Sequence, residues 1–407
     1  MKRRFAHTIA SFFAFLCIVF IPYPFNLIRI QSPVTDFLFG RLIGFISENI
    51  FGRTLTSTRV YSDSSSMYIL VMLLFIGALL ISLLVWRIRK WPLYRGRVLR
   101  FFYRLFFCYL ALLLLKYGVD KIFKNQFYLP EPNTLYTPMG MASRGLLFWS
   151  SMGTSHFYNF FLGSFEAVAA IFILIKRTRL LGLLISSGVL LNVIAINFGF
   201  DISVKLYSLF LFFLTIYLLV PYFSRLYQLL LLRKAVPVIS SYVTNNLAGN
   251  TFLSAFLKWL ITGLIFLEAF YPFIKTKNFN GDLAKRPYLH GVYEVKRAIA
   301  ETDTLLLVNS PVKRFFIHKM GHMIFQDQSD AMQDYKLDYD NKSSTFILTD
   351  YGLHKTILSY SYQPGDSILI LQYFKNGKEF QLEGKAIDWK KLPAVQKGFH
   401  WTVDGGK

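Results

Sequence analysis

The chain has 407 residues, of which 54% are hydrophobic and 18% aromatic, with 42 phenylalanines. This composition is too apolar for an ordinary soluble protein and indicates a membrane protein. The net charge of +22 would also fit a nucleic-acid-binding protein. However, the first 273 residues hold 26 Lys and Arg against 8 Asp and Glu, and the remainder holds 19 against 15. The positive excess accompanies the apolar part, where basic loops set orientation and contact anionic lipid, so we predict no nucleic-acid partner.

Seven apolar stretches are each close to the roughly 20 residues that a transmembrane helix requires. They fall at 7–25, 67–86, 101–119, 157–175, 180–198, 204–220 and 252–273. The first follows a basic N-terminus and shows no small-residue cleavage pattern, so we interpret it as an uncleaved span. Pro221 and Pro272 are expected at helix ends, where a missing amide proton costs least.

The connections between these spans differ in positive charge. One alternating set, which includes the N-terminus and the loop after the second span, carries 16 Lys and Arg, and the opposite set carries 8. The richer set is expected to be cytoplasmic. With seven spans, this predicts a cytoplasmic N-terminus and an extracytoplasmic C-terminal domain, in a bacterial inner (cell) membrane.

Two loops of the outer set are long. Residues 26–66 include the apolar segment 37–45, which we expect to form a short helix in the membrane interface. Residues 120–156 include Gly145–Trp149, whose tryptophan suits the headgroup region. This second loop could instead fold back as a lid over the spans.

From Tyr288 onward the hydrophobic period becomes two, which is typical of strands. Hairpin candidates are Met320-Gly321, Asn341-Lys342, Tyr351-Gly352, Pro364-Gly365 and Asn376-Gly377. Roughly eight short antiparallel strands are expected to form a small barrel or curled sheet, joined to the last span by a linker from Lys275 to Lys285.

The predicted fold is therefore an α-helical polytopic membrane bundle of about seven spans followed by an all-β antiparallel, barrel-like domain. We divide the chain into two extra N-terminal spans (1–98), a four-helix membrane core (99–223), a basic loop with the seventh span and linker (224–287), and an extracytoplasmic β-rich domain (288–407).

Polar side chains interrupt the spans of the membrane core. Glu166 lies ten residues past His156, about 15 Å along a helix, and Asn192 lies at a comparable depth in its own span. The predicted cluster comprises Asp120, Lys121, Glu166, Asn192, Asn197, Asp201 and Lys205, with Lys116 on the same helical face as Asp120. Polar groups at such depth are costly, so they mark either a site or a lock between helices.

The two interpretations stay open because they involve the same residues. As a pocket, the cluster would bind a polar head group, a quinone carbonyl or a proton; as a network, it would hold the helices together. Lys258 and Glu268 lie near the ends of the last span, and we expect both to reach the membrane surface along their stems. His318 and His322 straddle a predicted turn without a carboxylate placed beside them, so we predict no metal site.

Part of the chain resembles the DoxX-like integral membrane proteins. The segments that carry the resemblance are Tyr117–Phe123, Gln126–Phe127, Pro130, Pro138–Gly140, Gly145–Trp149, Met152–Gly153, Phe161–Glu166, Arg177–Gly182, Asn192–Val193 and Asn197–Ser208. The tail is similar to the β-rich extension of larger relatives at Tyr288–Val295 and Gly398–Trp401. Ser203 stands where many relatives have proline, and Lys116 lies outside the pattern.

The resemblance implies a four-helix membrane bundle to which spans one, two and seven are added. The family name derives from a subunit linked to a quinol oxidase, but no reaction transfers from it. We therefore expect a scaffold or binding module with an outer-leaflet polar pocket and no cofactor, in contact with lipid and possible further membrane subunits. The alternative is a quinone-linked redox subunit, in which Glu166, Asn192 and Lys205 contact the quinone.

Overall fold

The computed structural model describes residues 2–27, 29–233, 251–300, 303–305, 310–340, 343–375, 378–396 and 398. Several sequence predictions lie outside these residues. They are Lys234 in the basic loop, the Asn341-Lys342 and Asn376-Gly377 turns, and Phe399–Trp401 of the family resemblance. The chain forms two compact units: residues 1–126 with 157–279, and residues 127–156 with 280–407.

The first unit is helical. Its helices are α1 (Lys2–Phe20), α2 (Gln31–Asn49), α3 (Ser65–Arg87), α4 (Trp91–Ile122), α7 (His156–Leu174), α8 (Arg179–Gly199), α9 (Lys205–Leu219), α10 (Phe223–Leu230) and α11 (Thr251–Thr276). Seven helices in the described chain are long and apolar enough to cross a membrane, and they coincide with the seven predicted spans. The predicted helical, multi-pass architecture is therefore confirmed.

The longest helix, α4, is the most enclosed of the candidate spans. More than half of the residues in its most apolar 18-residue stretch are buried. It packs against α1, α9 and α11, and residues such as Phe106, Leu110 and Leu113 are fully buried there. The other candidate spans leave many Phe, Leu and Ile side chains exposed, as expected for helices that face lipid. The bundle is thus organised around one buried helix.

Two details of the helices differ from or extend the predictions. The expected interfacial segment 37–45 lies within the longer helix α2, which exposes Phe37 and Phe45. Helix α11 does not end at Pro272 but continues to Thr276. Its proline lacks the amide that would donate to the Glu268 carbonyl oxygen, and this oxygen accepts from the Asn26 side-chain amide at 3.1 Å instead.

The second unit contains two helices from the loop between the third and fourth spans, α5 (Pro132–Leu135) and α6 (Arg144–Thr154). Its strands are β1 (Gly291–Ala300), β2 (Asp303–Leu305), β3 (Arg314–His318), β4 (His322–Gln326), β5 (Met332–Asp340), β6 (Thr345–Thr349), β7 (Lys355–Gln363), β8 (Ile368–Lys375) and β9 (Lys378–Ile387).

The strands form a closed antiparallel barrel. Strands β3 to β9 pair in sequence order, and β1 pairs with both β3 and β9, so eight strands close the ring. The short β2 pairs antiparallel with the last residues of β1 and is not part of the ring. The described turns at Met320-Gly321, Tyr351-Gly352 and Pro364-Gly365 each connect paired neighbours, and Gly321 has a φ of +72° that favours glycine. The predicted barrel is confirmed.

The barrel interior is filled by side chains. Phe315, Ile317, Met323, Phe346 and Leu369 are fully buried in one cluster, because alternate residues of each strand point inward. Close packing extends to the backbone at Gly384, where an added Cβ would lie 2.4 Å from the Phe315 ring.

One patch of the barrel's outer face is covered by residues 128–136, which we call the strap. Val292, Phe316 and Ile324 form an apolar cluster there, against which Leu129 and Leu135 of the strap pack. The Nε2 of Gln326, a fully buried residue, donates to the carbonyl oxygen of Tyr136 at 3.1 Å. Residues 127–156, the larger part of the predicted 120–156 loop, therefore belong to the barrel unit.

Candidate functional site

The buried helix α4 carries two lysines that lie among apolar neighbours. Lys116 is 7% exposed and Lys121 is 6% exposed. Lys121 lies five positions after Lys116, which at 100° per residue turns their side chains roughly 140° apart around the helix axis. They therefore leave α4 on different sides and meet different helices.

Lys121 pairs with Glu166 of α7. Its Nζ lies 2.9 Å from Oε1 and 2.7 Å from Oε2 of that carboxylate, which is 3% exposed. The two helices run antiparallel and touch at Gly118 and Gly163, where neither backbone leaves room for a Cβ. This close approach allows a lysine stem to span the interface. Lys121 and Glu166, both members of the predicted cluster, therefore form a direct ion pair.

Lys116 pairs with Glu268 of α11, at 3.3 Å between Nζ and Oε1. Glu268 is 5% exposed and also accepts hydrogen bonds from the backbone amides of Asn26 and Leu27, at 2.5 and 2.9 Å. The expectation that Glu268 reaches the membrane surface was wrong. The loop after α1 supplies two amide donors that stabilise its charge inside the unit, and a sequence does not show which loop will return to which helix.

Of the remaining predicted site residues, Asp120 lies within electrostatic range of Lys116, Lys121 and Glu166. Asp120 is half-buried and accepts from the side-chain amide of Asn125 at 3.1 Å. On α8, Asn197 is buried whereas Asn192 is exposed. Lys205 and Asp201 pair at 2.7 Å between Nζ and Oδ1, but Asp201 is 79% exposed. Asp120, Lys121 and Glu166 thus lie together, and Lys205 and Asp201 form a separate ion pair.

The start of α9 is fixed by a residue that the sequence analysis passed over. Both carboxylate oxygens of Asp63, in the loop before α3, accept from backbone amides of the first turn: Lys205 N at 2.8 Å and Leu206 N at 3.0 Å. These amides have no partner within their own helix. Asp63 therefore caps α9 from a distant part of the chain.

A layer of tyrosines lies beside Lys116. The hydroxyls of Tyr109 and Tyr207 are 2.8 Å apart, and the Tyr23 ring stacks on Tyr207 with centroids 5.6 Å apart. The ammonium of Lys116 lies 5.8 Å from the centroid of Tyr23, within the range of a cation–π contact. The sequence offered a signal for this layer, since tyrosines within apolar spans require partners for their hydroxyls.

The barrel unit has a polar cluster of its own around Glu131 of the strap. This carboxylate is 2% exposed and accepts from Arg286, from His290 Nε2 at 2.7 Å and, more weakly, from the Lys319 amide at 3.3 Å. Burial acts to raise the pKa of Glu131, but His290 and Arg286 together hold this pKa below its ordinary value. The cluster therefore holds an ionised carboxylate that ties the strap to the barrel.

Beside it, the Lys319 ammonium lies over the face of Tyr128, 2.7 Å from the ring centroid. Burial lowers the pKa of Lys319 to about 8. His318 and His322, the candidate metal pair, face each other across the β3–β4 hairpin with ring centroids 6.5 Å apart. Within the described ranges, no group of three or more His, Cys, Asp or Glu is placed to hold a metal ion.

No family model matches the chain, and no solved structure matches it. A relative from Bacillus subtilis (strain 168), the uncharacterized protein YwoB, is 35% identical over 98 residues. That similarity covers 24% of this chain and 61% of the relative.

Proposed function

We propose that this chain is a membrane scaffold of the bacterial cell membrane, related to the DoxX-like proteins. In this proposal the N-terminus is cytoplasmic, and the helical bundle holds the β-barrel on the extracytoplasmic side. The orientation is supported by the excess of Lys and Arg in one set of loops. The lipid bilayer is the first partner, and further membrane subunits would contact the bundle or the barrel.

The observation that carries the scaffold proposal is the pairing of both buried lysines of α4. Each ammonium lies within 3.3 Å of a carboxylate on another helix, Glu166 or Glu268. Charges that satisfy one another in this way have little capacity left for a ligand, whereas breaking one pair leaves a buried charge without a partner. The arrangement therefore favours a lock between α4, α7 and α11 over a polar binding pocket.

A double-mutant cycle on Lys121 and Glu166 tests the lock. For the scaffold, Glu166→Leu and Lys121→Met should each destabilise the full chain by about 3–5 kcal/mol, because each leaves one buried charge unpaired. The double variant Lys121→Met/Glu166→Leu should recover most of the loss. Urea unfolding in mild detergent measures these differences, with Asp201→Asn at the exposed pair as a control that should change little.

The alternative is a quinone-linked redox subunit. The quinone content of the purified protein distinguishes the two proposals. Solvent extraction and mass spectrometry of the purified full chain should recover no stoichiometric quinone from a scaffold. Quinone recovered at one per chain, and lost in a Glu166→Gln variant whose unfolding free energy is unchanged, would refute the scaffold proposal. Co-purifying subunits identified in the same preparation would name the partners.

A further inference from the structure

We propose that the groove between α2 and α3 binds an anionic phospholipid, with its phosphate on Arg53 and an acyl chain along Ile69 and Met72. The groove has a volume of about 560 Å³. This lies within the roughly 300–1,000 Å³ of pockets that bind small molecules. Its lining consists of Ser47, Phe51, Arg53, Ser65, Tyr68, Ile69 and Met72.

The lining has one sign of charge. It contains a single guanidinium, the exposed hydroxyl of Ser65 and one phenol, and no carboxylate, while the hydroxyl of Ser47 is engaged by the backbone of Arg53. The nearby Asp63 is already engaged by two backbone amides of α9. Guanidinium and hydroxyl donors together match the oxygens of a phosphate, which arginine binds through two parallel hydrogen bonds. The groove therefore suits an anion.

The position of Arg53 is fixed by its backbone. After α2 the chain turns at Gly52, whose φ of +61° favours glycine, and returns onto the helix. The amide of Arg53 donates to the Ser47 carbonyl at 2.9 Å, and the Ser47 hydroxyl donates to the Arg53 carbonyl at 2.6 Å. Ser47 is 2% exposed, so this turn is anchored in the unit while the Arg53 side chain stays exposed at the groove.

The rest of the groove identifies a lipid and not a soluble anion. Ile69, Met72 and Tyr68 belong to α3, one of the helices long and apolar enough to cross the membrane. Tyr68 lies in the first turn of that helix, and tyrosine there suits the level of the headgroups. An acyl chain can follow the apolar wall of α3 from this level into the bilayer. A ligand with a phosphate head and an apolar tail uses both halves of the groove.

The test uses delipidated full-length protein in detergent, titrated with phosphatidylglycerol or phosphatidylcholine and followed by native mass spectrometry. Both head groups carry a phosphate, but the choline ammonium makes the phosphatidylcholine head group neutral overall and repels the Arg53 guanidinium. The first phosphatidylglycerol should therefore bind about tenfold more tightly than phosphatidylcholine. Arg53→Gln should remove this preference. Met72→Trp, which fills the groove, should weaken binding of both lipids.

Arg41→Gln is the matched control, because it removes one exposed arginine of α2 that does not line the groove and changes the net charge equally. It should leave lipid binding unchanged. The proposal is refuted if Arg41→Gln and Arg53→Gln weaken binding equally, which would indicate general charge attraction. It is also refuted if Met72→Trp has no effect, or if inorganic phosphate displaces the lipid at similar concentrations. Unfolding temperatures close to that of the unmodified protein confirm that each variant is folded.

Discussion

Gly118 of α4 and Gly163 of α7 leave no space for a side chain between them. A Cβ added to Gly118 would lie 2.7 Å from the Gly163 carbonyl oxygen, and one added to Gly163 would lie 2.5 Å from the Gly118 carbonyl oxygen. Small residues allow this close approach of helix backbones within membranes. The contact places α7 near enough for Glu166 to receive the Lys121 ammonium.

Gly118→Ala should therefore destabilise the bundle, although alanine is the better helix former. The new methyl group would press on backbone atoms that cannot move aside, and overpacking of this kind costs about 1–3 kcal/mol. Gly188→Ala on α8 is the control, because nothing lies within 4 Å of its added Cβ. It should stabilise by up to about 1 kcal/mol. Urea unfolding of both variants in the same detergent measures the contrast; equal effects would contradict the packing described here.

The sequence predicted which segments span the membrane, because the length and composition of each apolar stretch are local properties. It also named Lys121 and Glu166 as members of one cluster. It did not show that Asn192 faces outward while Asn197 is buried. Depth in the membrane follows from counting residues, whereas the rotation of a helix depends on which neighbours it packs against. Five residues turn a helix by roughly 140°, so these two amides could not share a face.

In the barrel, too, the local features could be predicted from the sequence and the long-range contacts could not. Its strands and turns followed from a period of two and from Gly and Pro positions, as at Met320-Gly321. The strap was not predicted to pack on it, because Glu131 is separated in sequence from its partners Arg286 and His290 by more than 150 residues. Long-range ion pairs leave no periodic signal in a single sequence. Glu268 was misassigned for the same reason.

The cap of α9 by Asp63 gives a second prediction. Asp63→Ala removes two acceptors from the first turn of the helix, and loss of a cap costs about 0.5–2 kcal/mol. Asp201→Ala, in the exposed pair with Lys205, should cost less than about 1 kcal/mol. Hydrogen exchange of the Lys205–Ser208 amides, read by mass spectrometry, should rise in the first variant and stay unchanged in the second. The reverse order would show that the exposed pair sets the start of α9.

The carboxylate of Glu131 makes attachment of the strap depend on pH. Its pKa in the folded chain is held below the ordinary value by His290 and Arg286 against the effect of burial. The unfolded chain, with a pKa of about 4.3, therefore binds more protons at acidic pH, and stability falls as pH decreases through the folded-state pKa. Protection of residues 128–136 from hydrogen exchange should persist at pH 6 and decline at acidic pH below the ordinary carboxyl value. Glu131→Gln should lower this protection at pH 6 and flatten its acid dependence.

Lys319 should make the stability of the barrel unit depend on pH as well, but in the alkaline range. Burial over Tyr128 lowers its pKa to about 8, whereas the unfolded chain retains a value of about 10.4. Between these values the unfolded state binds more protons, so the barrel unit gains stability as pH rises. Other groups titrate in this range as well, and the comparison with Lys319→Met isolates this one. The variant should lose the increase between about pH 8 and 10, as measured by hydrogen exchange of the β3 amides; an unchanged slope would assign it to another group.

Gly384 on β9 tests whether the barrel is filled. A Cβ there would lie 2.4 Å from the Phe315 ring and 2.9 Å from Tyr293 Cβ. Gly384→Ala should destabilise the barrel by about 1–3 kcal/mol, because the fully buried aromatic ring has no free volume into which it can turn. Gly365→Ala, in the β7–β8 turn with nothing within 4 Å, should leave the barrel unchanged. Adding Phe315→Leu to Gly384→Ala should recover part of the loss by returning space to the same layer. A hollow barrel would instead tolerate Gly384→Ala without a measurable change in unfolding and would gain nothing from the second substitution.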